Sequence, residues 1–157
     1  MRTPTKPLLV LGLAATLPVL SLPSVAASGQ GTPDEAHALV KKAITYYQQH
    51  GQDSTMAVLN DNNGEFVDRD LYVFVHDDQG IYYAIAPKPQ FIGKNLSSVR
   101  DANGKFIVKE QIEQLKSADH MWQEYHWENP VTKKIALKKT YCEKVQSLQF
   151  CAGAYVN

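Results

Sequence analysis

The chain has 157 residues, of which 44% are hydrophobic and 20% are charged, which suits one folded domain and argues against a disordered chain. Its 16 Lys and Arg residues balance its 16 Asp and Glu residues. The sequence therefore lacks the clustered positive charge that binds nucleic-acid phosphates, and nucleic acid is not an expected partner.

Residues 1–27 are typical of a secretory signal peptide. Arg2 and Lys6 precede an apolar run, which two prolines interrupt before the small residues that end at Ala26-Ala27. We expect cleavage near Ala26-Ala27 and a mature protein that is periplasmic or secreted. Cleavage there removes two basic residues and no acid, so the remainder carries a formal charge of −2.

After the predicted signal peptide, the sequence indicates a short lead-in followed by a helix. We assign residues 28–35 to a flexible lead-in and residues 36–157 to a single folded domain. A helix is expected to begin at Pro33, because proline in the first turn followed by two acidic residues suits a helix N-terminus. Apolar residues at helical spacing continue to Gly51, and a second short helical piece is expected at 54–60.

The rest of the chain predicts five strands and one more helix. A hairpin comes first, with strands at 71–76 and 81–86. A long crossover follows, with a helix around 106–115, and then strands at 121–127, 135–145 and 148–156. This order predicts an α+β fold, an antiparallel sheet with the helices gathered on one side and at one end.

The two cysteines fall on the last two predicted strands. If Gln146 and Ser147 form a two-residue turn, Cys142 faces Cys151 at a non-hydrogen-bonded pair, where the Cα atoms lie about 4.5 Å apart. A disulfide can span that distance, and export favours one. We therefore predict a structural disulfide between Cys142 and Cys151, and the alternative is a pair of free buried thiols.

Several short segments carry a resemblance to a known family. They are Gly64–Val67, Asp70–Val75, Ile92–Leu96, Asp101–Lys105, Trp122, Tyr125–Thr132 and Lys138–Tyr141. In this order they resemble the single Cache domain, a PAS-like extracytoplasmic sensor module, from about Ala36 to Val156. The resemblance implies a five-stranded antiparallel sheet, a long N-terminal helix and a ligand pocket beneath a helical crossover. Members usually bind small organic acids or similar metabolites, and most belong to chemoreceptors or sensor kinases.

Five residues are candidates for the ligand site. Lys138 matches the family's lysine on the fourth strand, where an ammonium suits a carboxylate; the alternative is a solvated strand lysine. Tyr72, Trp122 and Tyr125 are aromatic candidates, each with ordinary core packing as its alternative, and Tyr141 is a further candidate. Trp122 and Tyr125 differ in strand parity, as do Lys138 and Tyr141, so a regular strand cannot aim both members of either pair into one pocket.

The expected function is exported ligand binding, as in sensory signal transduction and chemotaxis. The expected partners are a small organic acid and a membrane receptor or sensor kinase that passes on the signal. Many relatives carry His where this chain has Ala86, so the alternative is an interaction protein with a vestigial pocket. The sequence carries no catalytic, metal-ligand or cofactor-binding motif, so we expect no enzyme, no metal and no cofactor.

Overall fold

The computed structural model describes residues 29–156, so the predicted signal peptide and its cleavage point lie outside the described residues. Helix α1 spans Pro33–Leu59, and its first turn includes residues that we had assigned to the lead-in. A capping box begins the helix: Glu35 N donates to Thr32 Oγ1 at 3.2 Å, and Thr32 N donates to the Glu35 carboxylate at 2.8 Å.

Helix α1 is interrupted once. Gly51 has φ 75° and ψ 179°, outside the helical range, so α1 is two helical segments joined at a kink. This left-handed φ suits glycine. The predicted end of the first helix and the second short helix are both confirmed. Within residues 29–156, no helix is long and apolar enough to cross a membrane.

The α+β architecture is confirmed, with an antiparallel sheet of six strands among the described residues instead of five. The strands are β1 Val67–Asp68, β2 Leu71–Asp77, β3 Tyr82–Ile85, β4 His120–Glu128, β5 Ile135–Val145 and β6 Leu148–Tyr155. Strand β2 pairs with β1, β3 and β6, and β6 then pairs with β5 and β5 with β4. The additional strand, β1, has two residues, too few for an alternating pattern to show in the sequence.

The two faces of the sheet have different covers. Helix α1 packs on one face, where its small and branched residues meet residues such as Val73 and Ala152. On the opposite face lies the crossover between β3 and β4, which contains a 3-10 turn at Pro89–Phe91 and helix α2 at Ile107–Gln114. We call this second face the pocket face.

The β5–β6 hairpin has the predicted register. Cys142 pairs with Cys151, their Cα atoms are 4.1 Å apart, and the disulfide joins them. Gln146 in the turn has φ 57°, the left-handed conformation that a two-residue hairpin turn requires. Although glutamine is an unusual residue for that position, the long pairing of β5 with β6 keeps the register.

Candidate ligand-binding site

Strand alternation divides the five candidate residues between the two faces of the sheet. Tyr72 and Tyr125 line a cavity on the pocket face, and Lys138 lies on the same face beside Tyr72. Tyr141 belongs to the core on the α1 side, and Trp122 packs against it with ring centroids 5.1 Å apart. Trp122 is 39% exposed. The site described below therefore does not include Trp122 or Tyr141.

The cavity on the pocket face is small and mostly apolar. Its volume is about 10 Å³, about the room that one water molecule needs. Strands β2, β3 and β4 supply aromatic side chains, and the crossover and α2 supply aliphatic ones. The lining residues are Tyr72, Phe74, Tyr82, Ile85, Leu96, Val99, Ile107, Val108, Tyr125 and Trp127. The protein's own side chains thus fill most of the space beneath the crossover.

Lys138 places an ammonium group among aromatic rings. Its side chain is fully buried, and Nζ lies 3.9 Å from the ring centroid of Tyr72, 5.2 Å from that of Tyr155 and 5.6 Å from that of Phe74. Within the part of the chain that the structure describes, Nζ has no hydrogen-bond partner. The ring faces attract the cation, but they do not replace the hydrogen bonds that an ammonium makes in water.

Burial changes the protonation of Lys138. It lowers the pKa of the amine to about 7, and the negative charge of Asp70 acts in the opposite direction. Asp70 is itself 1% exposed, and its two carboxylate oxygens accept from Gly31 N at 2.7 Å and from Asn129 Nδ2 at 3.0 Å. Near neutral pH, Lys138 therefore exists in both its charged and its neutral form.

Tyrosine hydroxyls add donors to the same region. Tyr125 lies directly opposite Lys138 in the β4–β5 pairing, and its oxygen accepts from Thr140 Oγ1 at 3.1 Å. Burial raises the pKa of Tyr125 and of Tyr72 above the ordinary tyrosine range, so both remain neutral donors near neutral pH. One amine and neutral hydroxyls within aromatic walls can bind one small anion.

Sequence reasoning missed three residues around Lys138, namely Asp70, Gly153 and Tyr155. A Cβ at Gly153 would lie 2.8 Å from Lys138 Cε and would also collide with Thr140 Oγ1. Glycine in strand β6 therefore leaves the space in which the lysine lies. The signal in the sequence is a glycine inside a strand pattern, which often marks such a close approach.

A buried chain of polar side chains joins the crossover to the sheet. His76 Nε2 on β2 lies 3.1 Å from Gln111 Oε1 on α2, and Gln111 Nε2 donates to Gln123 Oε1 on β4 at 2.9 Å. Gln123 Nε2 then donates to the Ile107 carbonyl at 3.2 Å. Burial lowers the pKa of His76. Because buried polar groups are costly to leave unpaired, this chain fixes α2 over the cavity.

Metal binding has no candidate in the described residues. Within residues 29–156, no group of three or more His, Cys, Asp or Glu residues is arranged to hold a metal ion.

Comparison with known proteins gives a family and a fold. The model of the family "Single Cache domain 2" matches residues 22–155. No curated protein sequence matches the chain. A methyl-accepting chemotaxis protein from Vibrio parahaemolyticus RIMD 2210633 is similar in structure, with a TM-score of 0.70 and 24% identity over 79% of this chain and 88% of that one.

Two further solved structures have the same fold. One is a Cache chemosensory domain that is described as recognising a carboxylic acid. Its TM-score is 0.69, at 19% identity over 79% of this chain and 92% of that one. The other is a periplasmic sensor domain of a chemotaxis protein, with a TM-score of 0.62 and 21% identity over 79% of this chain and 90% of that one. At these identities the likeness concerns the fold.

Proposed function

The chain belongs to the single Cache domain family, and from this premise we propose that it is an exported sensory module that binds a small carboxylate beneath the crossover. In this proposal the Lys138 ammonium contacts the carboxylate, and Tyr72 and Tyr125 donate from the aromatic walls. A membrane receptor or sensor kinase responds to the ligand-bound state. The predicted signal peptide, cleaved near Ala26-Ala27, delivers the domain outside the cytoplasm.

The observation that carries this proposal is the buried Nζ of Lys138, which has no hydrogen-bond partner within residues 29–156. A buried cation without a counter-ion is unfavourable, and a carboxylate in the cavity supplies both the opposite charge and hydrogen-bond acceptors. The described carboxylic acid recognition by a similarly folded Cache domain is consistent with this chemistry. With a formal charge of −2 after signal removal, the protein does not attract an anion over long range, so selectivity depends on Lys138 itself.

Ligand entry requires movement of the crossover. A cavity of about 10 Å³ does not admit even a two-carbon acid. Leu96, Val99 and Val108 form its crossover side, so we expect these side chains to move outward when a carboxylate binds. The movement is the change that a signalling partner would read.

Thermal unfolding with a panel of small organic acids tests the proposal. A ligand at about 100 times its dissociation constant should add roughly 2.7 kcal/mol to the free energy of unfolding. Lys138→Met should abolish the shift, and Lys139→Met is the matched control because its side chain lies over Trp122 on the opposite face. An absence of any shift across acids, amino acids and amines would refute carboxylate binding.

A second candidate function is an interaction protein with a vestigial pocket. The small cavity volume favours it, as does Ala86 at the position where many relatives carry histidine. In that case no acid shifts the unfolding transition, and a Phe74→Ala variant that enlarges the cavity leaves partner binding unchanged. A shift by an acid that Lys138→Met removes would exclude this alternative.

A further inference from the structure

We propose that Lys138 also reacts covalently, forming a reversible imine with a small aldehyde that enters the pocket. This inference does not depend on carboxylate binding. It rests on the same side chain in its neutral form, and it assigns to the pocket a second class of ligand that is uncharged.

The geometry leaves the nitrogen free to act as a nucleophile. Nζ is fully buried, and within residues 29–156 it makes no hydrogen bond and has no carboxylate within 4.0 Å. Several other lysines of the chain are engaged in ion pairs, as expected for solvent-facing side chains; they are Lys41, Lys42, Lys88, Lys105 and Lys116. Desolvation in an apolar site is a recognised means of activating a lysine amine.

The surroundings also favour an uncharged electrophile. The walls of the cavity are aromatic and aliphatic, so a small aldehyde that enters when the crossover moves outward gives up no hydration of a charge. Because burial lowers the pKa of Lys138 to about 7, about half of the amine is neutral at that pH. An exposed lysine with an ordinary pKa of about 10.4 is neutral in only about one molecule in 2,500 at that pH.

The reaction balances without an oxidant or a reductant. The Nζ lone pair attacks the carbonyl carbon, and the carbonyl π electrons move to the oxygen; the nitrogen then loses one of its two protons and the oxygen gains one, which gives a neutral carbinolamine. The carbinolamine hydroxyl leaves as water with a second proton while the C=N bond forms, and nitrogen loses its remaining amine proton. Tyr125, across the strand pair from Lys138 with its oxygen accepting from Thr140, has its own O–H available for the carbonyl oxygen.

Competition between lysines in one protein tests the inference. The exported wild-type protein is treated at pH 7 with acetaldehyde and cyanoborohydride, which traps an imine as an ethyl group, and the modified lysines are mapped on peptides. We expect Lys138 to be ethylated at least tenfold faster than Lys139, its neighbour on the opposite face. The same reaction in urea should abolish that preference, because unfolding exposes both amines.

Two results would refute imine formation at Lys138. One is ethylation of Lys138 no faster than that of Lys139 in the folded protein; the other is a preference that persists in urea, which would reflect local sequence and not the pocket. Both results come from the wild-type protein, so misfolding of a variant cannot affect them. The acid panel is read by unfolding temperature, so failure of carboxylate binding and failure of imine formation are distinguishable.

Discussion

Replacing Lys138 by methionine should stabilise the protein most at acid pH. In the unfolded chain this amine has an ordinary lysine pKa, whereas in the folded protein burial lowers the pKa from 10.5 to about 7. The unfolded state therefore holds the proton more tightly. Below pH 7 the buried amine is protonated in the folded state as well. Because one pKa unit corresponds to about 1.4 kcal/mol, this protonation lowers the free energy of unfolding by about 5 kcal/mol.

The pH dependence of the stability difference separates the effect of the lysine proton from the effect of changed packing. Between pH 7 and 10.5 the unfolded lysine is protonated and the folded one is not, so wild-type stability rises with pH through this window. Methionine binds no proton, so this contribution is absent from the variant. We expect the stability difference, variant minus wild type, to shrink by about 3 kcal/mol from pH 6 to pH 9. Altered packing, which does not depend on the proton, shifts the stability difference equally at both ends of the pH series.

Urea unfolding of the two proteins at pH 6, 7.5 and 9 measures this difference. Lys139→Met is the control, and its stability should follow that of the wild type across the series because its amine is not enclosed in the pocket. Parallel curves for wild type and Lys138→Met would refute the reasoning, because they would show that the lysine carries the same proton in both states.

Three more predictions concern the pocket and its cover. Carboxylate affinity should fall about tenfold per pH unit above pH 7, because binding requires the protonated Lys138; calorimetry in buffers of different ionisation enthalpy should detect the proton uptake. Gly153→Ala should cost about 1–3 kcal/mol of stability and remove acid binding, as the new Cβ displaces the lysine; urea unfolding and the acid panel check both. Gln111→Leu should cost about 1–3 kcal/mol by leaving His76 and its neighbours unpaired. Hydrogen exchange should then quicken in α2, whereas Gln114→Leu on its exposed side should leave exchange unchanged.

Local patterns were sufficient to predict most of the fold. A run of β-branched and aromatic residues ended by turn residues predicted the β2–β3 hairpin, and the turn position predicted the cysteine register. Parity also showed that Trp122 and Tyr125 could not share a pocket. Parity could not say which of them faces the pocket, because both are aromatic and both faces of the sheet carry a buried core.

The remaining features depend on contacts between distant segments. Asp70 is held by Gly31 and Asn129, which are 39 and 59 residues away in sequence, so no local pattern indicates it. The near-closure of the cavity depends on how crossover side chains such as Leu96 pack against β2 and β3. Such packing follows from side-chain volumes in three dimensions, which periodicity does not encode.

Asp70 gives the pocket a mechanical connection to the start of the domain. One of its oxygens holds Gly31, two residues before α1 begins, and the other holds Asn129 just beyond the end of β4. The same carboxylate acts electrostatically on Lys138. The segment before α1, the end of β4 and the electrostatics of Lys138 therefore share one buried carboxylate. A change of charge at Lys138, such as the one that a bound carboxylate would cause, therefore acts on the group that holds the start of the domain in place.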